Sequence, residues 1–136
     1  MILIDSNILM YAAGAAHPNK APSVALLERV AAGQLSACID VEVLQEILHR
    51  YRAIDRWADG RRVYDLARQI FPMIIPVSAS MLDRARDILD ATPGLMARDA
   101  VHAAVVQLES LDAICSYDCD FDRIAGIRRL QPDEPL

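Results

Sequence analysis

Met1 to Ile4 is an unbroken apolar run followed at once by Asp5-Ser6-Asn7, the pattern of a short buried strand that ends in a polar loop. Three more short, mostly apolar runs read as strands: Leu35 to Ile39, Phe71 to Val77 and Leu111 to Cys115. Between them the apolar residues recur at helical spacing. Ala21 to Ala32 carries Val24, Leu27 and Val30, with Pro22 near its start, where a missing N–H is tolerated. Val41 to Tyr51 places Leu44, Ile47, Leu48 and Tyr51 on one stripe, with Asp40 positioned as its cap. Trp57 to Ile70 is a more charged helix. Ser80-Met81-Leu82-Asp83 has the form of a capping box opening a helix to about Asp90, which Ala91-Thr92-Pro93-Gly94 ends. Ala97 to Glu109 is the last long helix, and Gln131 to Leu136 is a polar tail expected to fray. Strands alternating with helices predict an α/β fold: a central, mostly parallel sheet of four to five strands with helices on both faces, in a single domain over residues 1–136.

In an open parallel sheet, ligands bind beyond the carboxyl ends of the strands. Asp5 follows the first strand, Asp118 and Asp120 follow the strand that ends at Cys115, and Asp99 lies in the first turn of the helix before that strand. Each has a plainer reading. Asp5 fits a cap of the next turn. The helix around Asp99 is apolar nearly all round and therefore buried, so its carboxylate needs a strong partner: a metal ion, a capping role or an ion pair. Glu46 lies opposite the apolar stripe of its helix, and periodicity alone turns it to solvent. His102 shares a helix face with Asp99, as a base or ligand or as a satisfied polar residue at the core edge. The loop Asp118-Cys119-Asp120-Phe121-Asp122 starts like a calcium loop, but Arg123 stands where that loop needs glycine and Arg129 where it needs glutamate. A phosphatase-type D-x-D also fails, because the first strand is followed by Asp5-Ser6-Asn7, and no serine sits at a nucleophile elbow.

Composition narrows the partners. With 54% hydrophobic residues in 136, the chain can fold without disulfides or a structural metal, and three cysteines, an odd number, read as reduced thiols. The first apolar run lacks a basic leader and is broken by Asp5, so neither a signal peptide nor a membrane span is expected, and the expected location is cytoplasmic. A net charge of −5 argues against electrostatic wrapping of nucleic acid, unless acids converge on divalent cations that meet the phosphate. Thirteen of the fourteen basic residues are arginines, and Arg50, Arg52, Arg56, Arg61, Arg62 and Arg68 crowd one stretch. That stretch suits phosphate contacts or is a solvated helix face.

Taken together, Met1 to Asn7, Glu46 within Val43-Leu44-Gln45-Glu46-Ile47, Ala97-Arg98-Asp99-Ala100-Val101-His102-Ala103-Ala104, and Ser116 to Asp122 followed by Ile124 to Ile127 resemble the PIN-domain family. Size and layout resemble its VapC-type toxin ribonucleases, in order along essentially the whole chain. The resemblance implies a PIN-like three-layer fold and a catalytic quartet of Asp5, Glu46, Asp99 and Asp118. It also implies metal binding by Asp5, Asp99, Asp118 and Asp120, with Asn7 and Ser116 supporting. The implied activity is Mg²⁺- or Mn²⁺-dependent endoribonuclease hydrolysis by a metal-activated water. The implied partners are RNA, a cognate antitoxin protein and a second copy in a homodimer, with Arg50, Arg52 and Arg56 as candidate contacts to RNA or antitoxin. The competing readings are a catalytically inactive PIN module that binds RNA or a protein, against which the complete quartet argues, and a phosphoacceptor receiver, which wants a late lysine where this chain has only Lys20.

Overall fold

The computed structural model describes residues 1–134. Five strands, β1 (Ile2–Ile4), β2 (Ala37–Asp40), β3 (Ile74–Ile75), β4 (Ala113–Cys115) and β5 (Arg129–Leu130), form one sheet in the order β3-β2-β1-β4-β5, every neighbouring pair parallel. The helices are α1 (Ser6–Ala13), α2 (Lys20–Ala31), α3 (Val41–Ala53), α4 (Trp57–Ile70), α5 (Ala79–Ala91) and α6 (Ala97–Leu108), with a 3₁₀ turn at Cys119–Arg123.

Successive strand residues point to opposite faces, and the strands here are apolar on both. Ile2, Ile4, Ile39, Ala113 and Cys115 pack with residues of α1 to α4, such as Ile8, Leu27, Ile47 and Val63. Leu3, Cys38 and Ile114 pack on the other face with residues of α5 and α6, such as Met81, Ile88, Ala103 and Val105. The result is three layers, helix on sheet on helix. Cys38 and Cys115 are buried free thiols and Cys119 an exposed one. Among the described residues no helix is long and apolar enough to cross a membrane.

Three local expectations are corrected. Asp5-Ser6-Asn7 is not a loop: α1 begins at Ser6, and the Asp5 carboxylate accepts a hydrogen bond from the Ser6 N–H at 2.7 Å. The strand expected over Phe71 to Val77 shrinks to Ile74–Ile75 at the sheet edge. Pro72 and Pro76 flank it, and proline cannot donate to a ladder. The helix expected from Ser80 starts two residues earlier, with Ser78 as cap: its hydroxyl accepts from Met81 N–H at 3.3 Å, and the Met81 sulfur accepts from Ser78 N–H at 3.5 Å. Of the expected tail, residues 131–134 turn back on themselves through Glu134 N–H to the Gln131 carbonyl at 3.0 Å, and residues 135–136 lie outside the described residues.

The chain moves from β1 outward through β2 to β3, then returns to the other side of β1 for β4. The strand order therefore reverses between β1 and β4, and their carboxyl ends open the crevice where such sheets bind ligands.

α3 and α4 pack closely because Gly60 has no side chain: a Cβ there would lie 2.4 Å from Tyr51 Cβ. Gly60→Ala is expected to destabilise the protein by about 1–3 kcal/mol through overpacking, in excess of the ~1 kcal/mol that alanine gains in helix propensity. A lowered urea midpoint at unchanged slope is the expected result.

Candidate active site

The acids expected from the sequence lie on elements that meet at this crevice, Asp5 and Asp99 at element ends and Glu46 within a helix. Asp5 leaves β1, Asp118 lies just beyond β4, Asp99 occupies the first turn of α6, and Glu46 sits in the second turn of α3. Glu46 is only 7% exposed, against the outward position its helical wheel suggests, because α1 and α6 pack on α3 and cover its polar face. The acids form two adjoining groups. In one, oxygens of Asp5 and Glu46 and a ring nitrogen of His102 lie within 4.8 Å of one another; in the other, oxygens of Asp99, Asp118 and Asp120 do.

The first group is fully wired. Asp5 Oδ2 accepts from Ser116 Oγ at 2.6 Å and from Asn7 Nδ2 at 3.1 Å, and Asn7 Nδ2 also donates to Ser116 Oγ at 3.0 Å. Asn7 and Ser116 thus tie the end of β1 to the end of β4. Glu46 Oε2 accepts from Ser6 Oγ, and Glu46 Oε1 lies 3.0 Å from His102 Nε2 and 3.9 Å from Arg98 Nε. His102 is buried completely, and its Nδ1 is 2.7 Å from Asp40 Oδ2. Since both ring nitrogens face carboxylates, which accept only, the geometry calls for a ring that donates twice, the imidazolium. Burial works against that charge, yet the charge and hydrogen bond of Asp40, then the bond to Glu46, hold the His102 pKa well above the ordinary value. Burial likewise works against charge on Glu46, but the bond and charge of His102 hold its carboxyl below the usual range. Asp5 goes the other way: burial raises its pKa in spite of His102 and Ser116.

The second group is an open set of oxygens. Asp118 Oδ1 accepts from Asp120 N–H at 2.9 Å, and Ser116 Oγ accepts from Asp118 N–H at 3.0 Å, so the loop after β4 is folded onto the same serine that holds Asp5. Arg123 Nη1 lies 3.4 Å from Asp120 Oδ1. Among the described residues Asp99 has no such cation. Burial, then the negative charges of Asp118 and Asp5, push its pKa up to about 7. Three carboxylates facing one another with no thiol or imidazole among them make a donor set for a hard divalent cation. The raised Asp99 marks the repulsion that such an ion would relieve.

The expected arginines separate. Arg50 and Arg56 line a groove of about 360 Å³ that begins at Asn7 and runs past Tyr11 and Tyr51. Arg56 is also 2.7 Å from Asp59. Arg52 is not in that groove; its guanidinium stacks on Trp57, 4.9 Å from the ring centre. The sequence did not single out Ser6 or the reach of Arg98 toward Glu46, and it gave Asp40 only a capping role. Asp40 does cap α3, accepting from Val43 N–H at 3.0 Å, while its other oxygen holds His102. The available signal was its position at the carboxyl end of β2.

The model of the PIN domain matches residues 2–127 of this chain. The chain belongs to the PIN-domain family. Among curated relatives, a VapC ribonuclease of Mycobacterium bovis and ribonuclease VapC13 of Mycobacterium tuberculosis are each 41% identical to this PIN domain over 130 residues, covering 96% of it and 99% of theirs. Among solved structures, VapC20 of M. tuberculosis, described as a sarcin-ricin loop cleaving toxin, has a TM-score of 0.72 at 19% identity, over 97% of this chain and 100% of that one. A toxin-antitoxin complex from Klebsiella pneumoniae contains a chain with a TM-score of 0.67 at 22% identity, covering 99% and 100%. These two likenesses bear on the fold, and they match its five-stranded parallel sheet and six helices.

A carboxyl raised to about 7 in the folded state binds its proton more tightly there than in the unfolded chain. Its stabilising effect is therefore complete below the unfolded value near 3.8 and is lost as pH rises through about 7. In EDTA, the melting temperature of the wild type is expected to fall relative to that of Asp99→Asn between pH 5 and 8. Parallel curves for the two proteins would contradict the assignment.

Proposed function

We propose that this PIN domain, a ribonuclease of the VapC toxin type, hydrolyses RNA with Mg²⁺ or Mn²⁺ held by Asp5, Asp99, Asp118 and Asp120. The observation that carries the reading is the Asp99, Asp118 and Asp120 oxygen cluster, set against the Asp5 and Glu46 pair at the crevice between β1 and β4. The ion, when bound, supplies the positive charge that a phosphodiester needs in an acidic cleft and the acidity that makes water a nucleophile.

The chain's own residues do the rest. Asn7 and Ser116 hold one oxygen of Asp5 and Ser6 N–H the other, so the carboxylate keeps its aim as the cleft fills. Hydrolysis joins a water oxygen to phosphorus and breaks one ester P–O bond, so a proton must leave the water and another must reach the departing oxygen. Glu46, held ionised, uses one acceptor site on Ser6 and one on His102. A carboxylate offers about four, which leaves Glu46 able to accept a hydrogen bond from the attacking water. No protein nucleophile enters, since the attacking group is water.

RNA is the proposed substrate, entering along the groove between Asn7 and Arg56. There Arg50 and Arg56 meet phosphates. Arg52, stacked on Trp57, contributes a separate surface. The toxin role carries with it a cognate antitoxin protein as partner, a homodimer and a cytoplasmic location, in one domain that takes in the whole chain.

Purified, antitoxin-free protein is expected to cut a mixed RNA with Mg²⁺ or Mn²⁺ and to stop in EDTA. Asp99→Asn and Asp118→Asn are expected to lose cutting by about 10²-fold or more while staying folded, as loss of transition-state charge stabilisation does. If wild type and both variants are equally inert but bind RNA alike, the chain is a binding module.

A further inference from the structure

The buried row Asp40, His102, Glu46 leaves His102 no free nitrogen for a metal, because both ring nitrogens are already engaged by carboxylates at 2.7 and 3.0 Å. It is nonetheless an expensive arrangement. Asp40 and His102 are completely buried and Glu46 nearly so, and a buried ion pair is as a rule no more stabilising than a well-packed apolar substitute. Stability alone does not account for three ionisable groups in a line.

Their direction does. Asp40 is rooted in backbone, as the last residue of β2 and the cap of α3, whose Val43 N–H holds its Oδ1 at 3.0 Å. That leaves Oδ2 to fix one edge of the imidazole, and the ring then presents its other nitrogen to Glu46 Oε1. Ser6, in the first turn of α1, holds the other oxygen of Glu46. The Glu46 carboxylate is thus gripped from both ends by groups that do not themselves open on the cleft, so its rotation is fixed by a chain of bonds that begins in the sheet.

We infer that His102, braced by Asp40, is a positioning residue that fixes the Glu46 carboxylate for the cleavage reaction. The inference rests on the ribonuclease reading above. Residues that orient a reacting group through its hydrogen bonds typically contribute 10–100-fold. Their effect is spent entirely through that group, which separates positioning from mere packing.

The test is a double-mutant cycle in single-turnover RNA cleavage at saturating Mg²⁺, with His102→Gln, Glu46→Gln and the double variant, and melting temperatures alongside. His102→Gln is expected to lower the cleavage rate by about 10–100-fold with substrate KM little changed. In the Glu46→Gln background the same change is expected to cost less than about 3-fold, although it still lowers the melting temperature. Asp40→Asn, which keeps a capping oxygen, is expected to reproduce the rate loss in part. Should His102→Gln multiply the defect of Glu46→Gln in full, or leave the wild-type rate unchanged in a folded protein, the positioning role is overturned. If the wild type cuts no RNA while the ring N–H protons of His102 are seen by NMR as slowly exchanging, the bonds stand but the ribonuclease reading falls, and the catalytic role inferred for them falls with it.

Discussion

Carboxylates brought together out of water resist twice, by losing hydration and by repelling one another, and the architecture of this PIN domain is arranged around that resistance. The fully buried His102 is the countercharge for one half of the cluster, placed against Asp40 and Glu46 with Asp5 at 3.8 Å. Among the described residues the other half, Asp99 with Asp118 and Asp120, has no ion-pair partner beyond Arg123 at its rim. The imbalance is informative. The chain supplies a buried countercharge to Asp5 and Glu46 and leaves Asp99 and Asp118 to face one another without one.

The sheet makes this division possible. Because the order reverses between β1 and β4, two strand ends and the N-terminal turns of α1 and α6 converge on one crevice. Backbone N–H groups add further relief: Ser6 N–H in the first turn of α1 to Asp5, and Asp120 N–H in the 3₁₀ turn after β4 to Asp118. Asn7 and Ser116 then cross-link the ends of β1 and β4 through side chains.

Much of this was legible in the sequence. The four apolar runs, the alternation with helices and the acids placed after strands led to the layered α/β fold and to Asp5, Asp99 and Asp118. The misses have physical causes. The first helix was read as loop because Asp-Ser-Asn is as good a helix start as it is a turn, and the helix it opens is only eight residues long, Ser6–Ala13. The third strand was overdrawn because an apolar run does not show where its flanking prolines cut the ladder. Glu46 was opposite the apolar stripe, and a helical wheel does not show that a second layer covers the other face. His102 was legible as a satisfied polar residue, but its partners at positions 40 and 46 are 62 and 56 residues away, and no local pattern announces a contact of that span.

The pairing of β1 with β4 joins Ile2 to Ala113 and Ile4 to Cys115. The first strand of the chain therefore waits for nearly the last, and contacts so distant along the sequence form late and slowly in folding. A ribosome releasing this chain exposes Asp5 long before the serine that aims it, Ser116 lying 111 positions on. Synthesis and activity are thereby uncoupled in time: a truncated or still-emerging chain has Asp5 and Glu46 but neither Asp118 nor the β4 edge that completes the crevice, and a cell making such a nuclease meets it armed only once the sheet has closed.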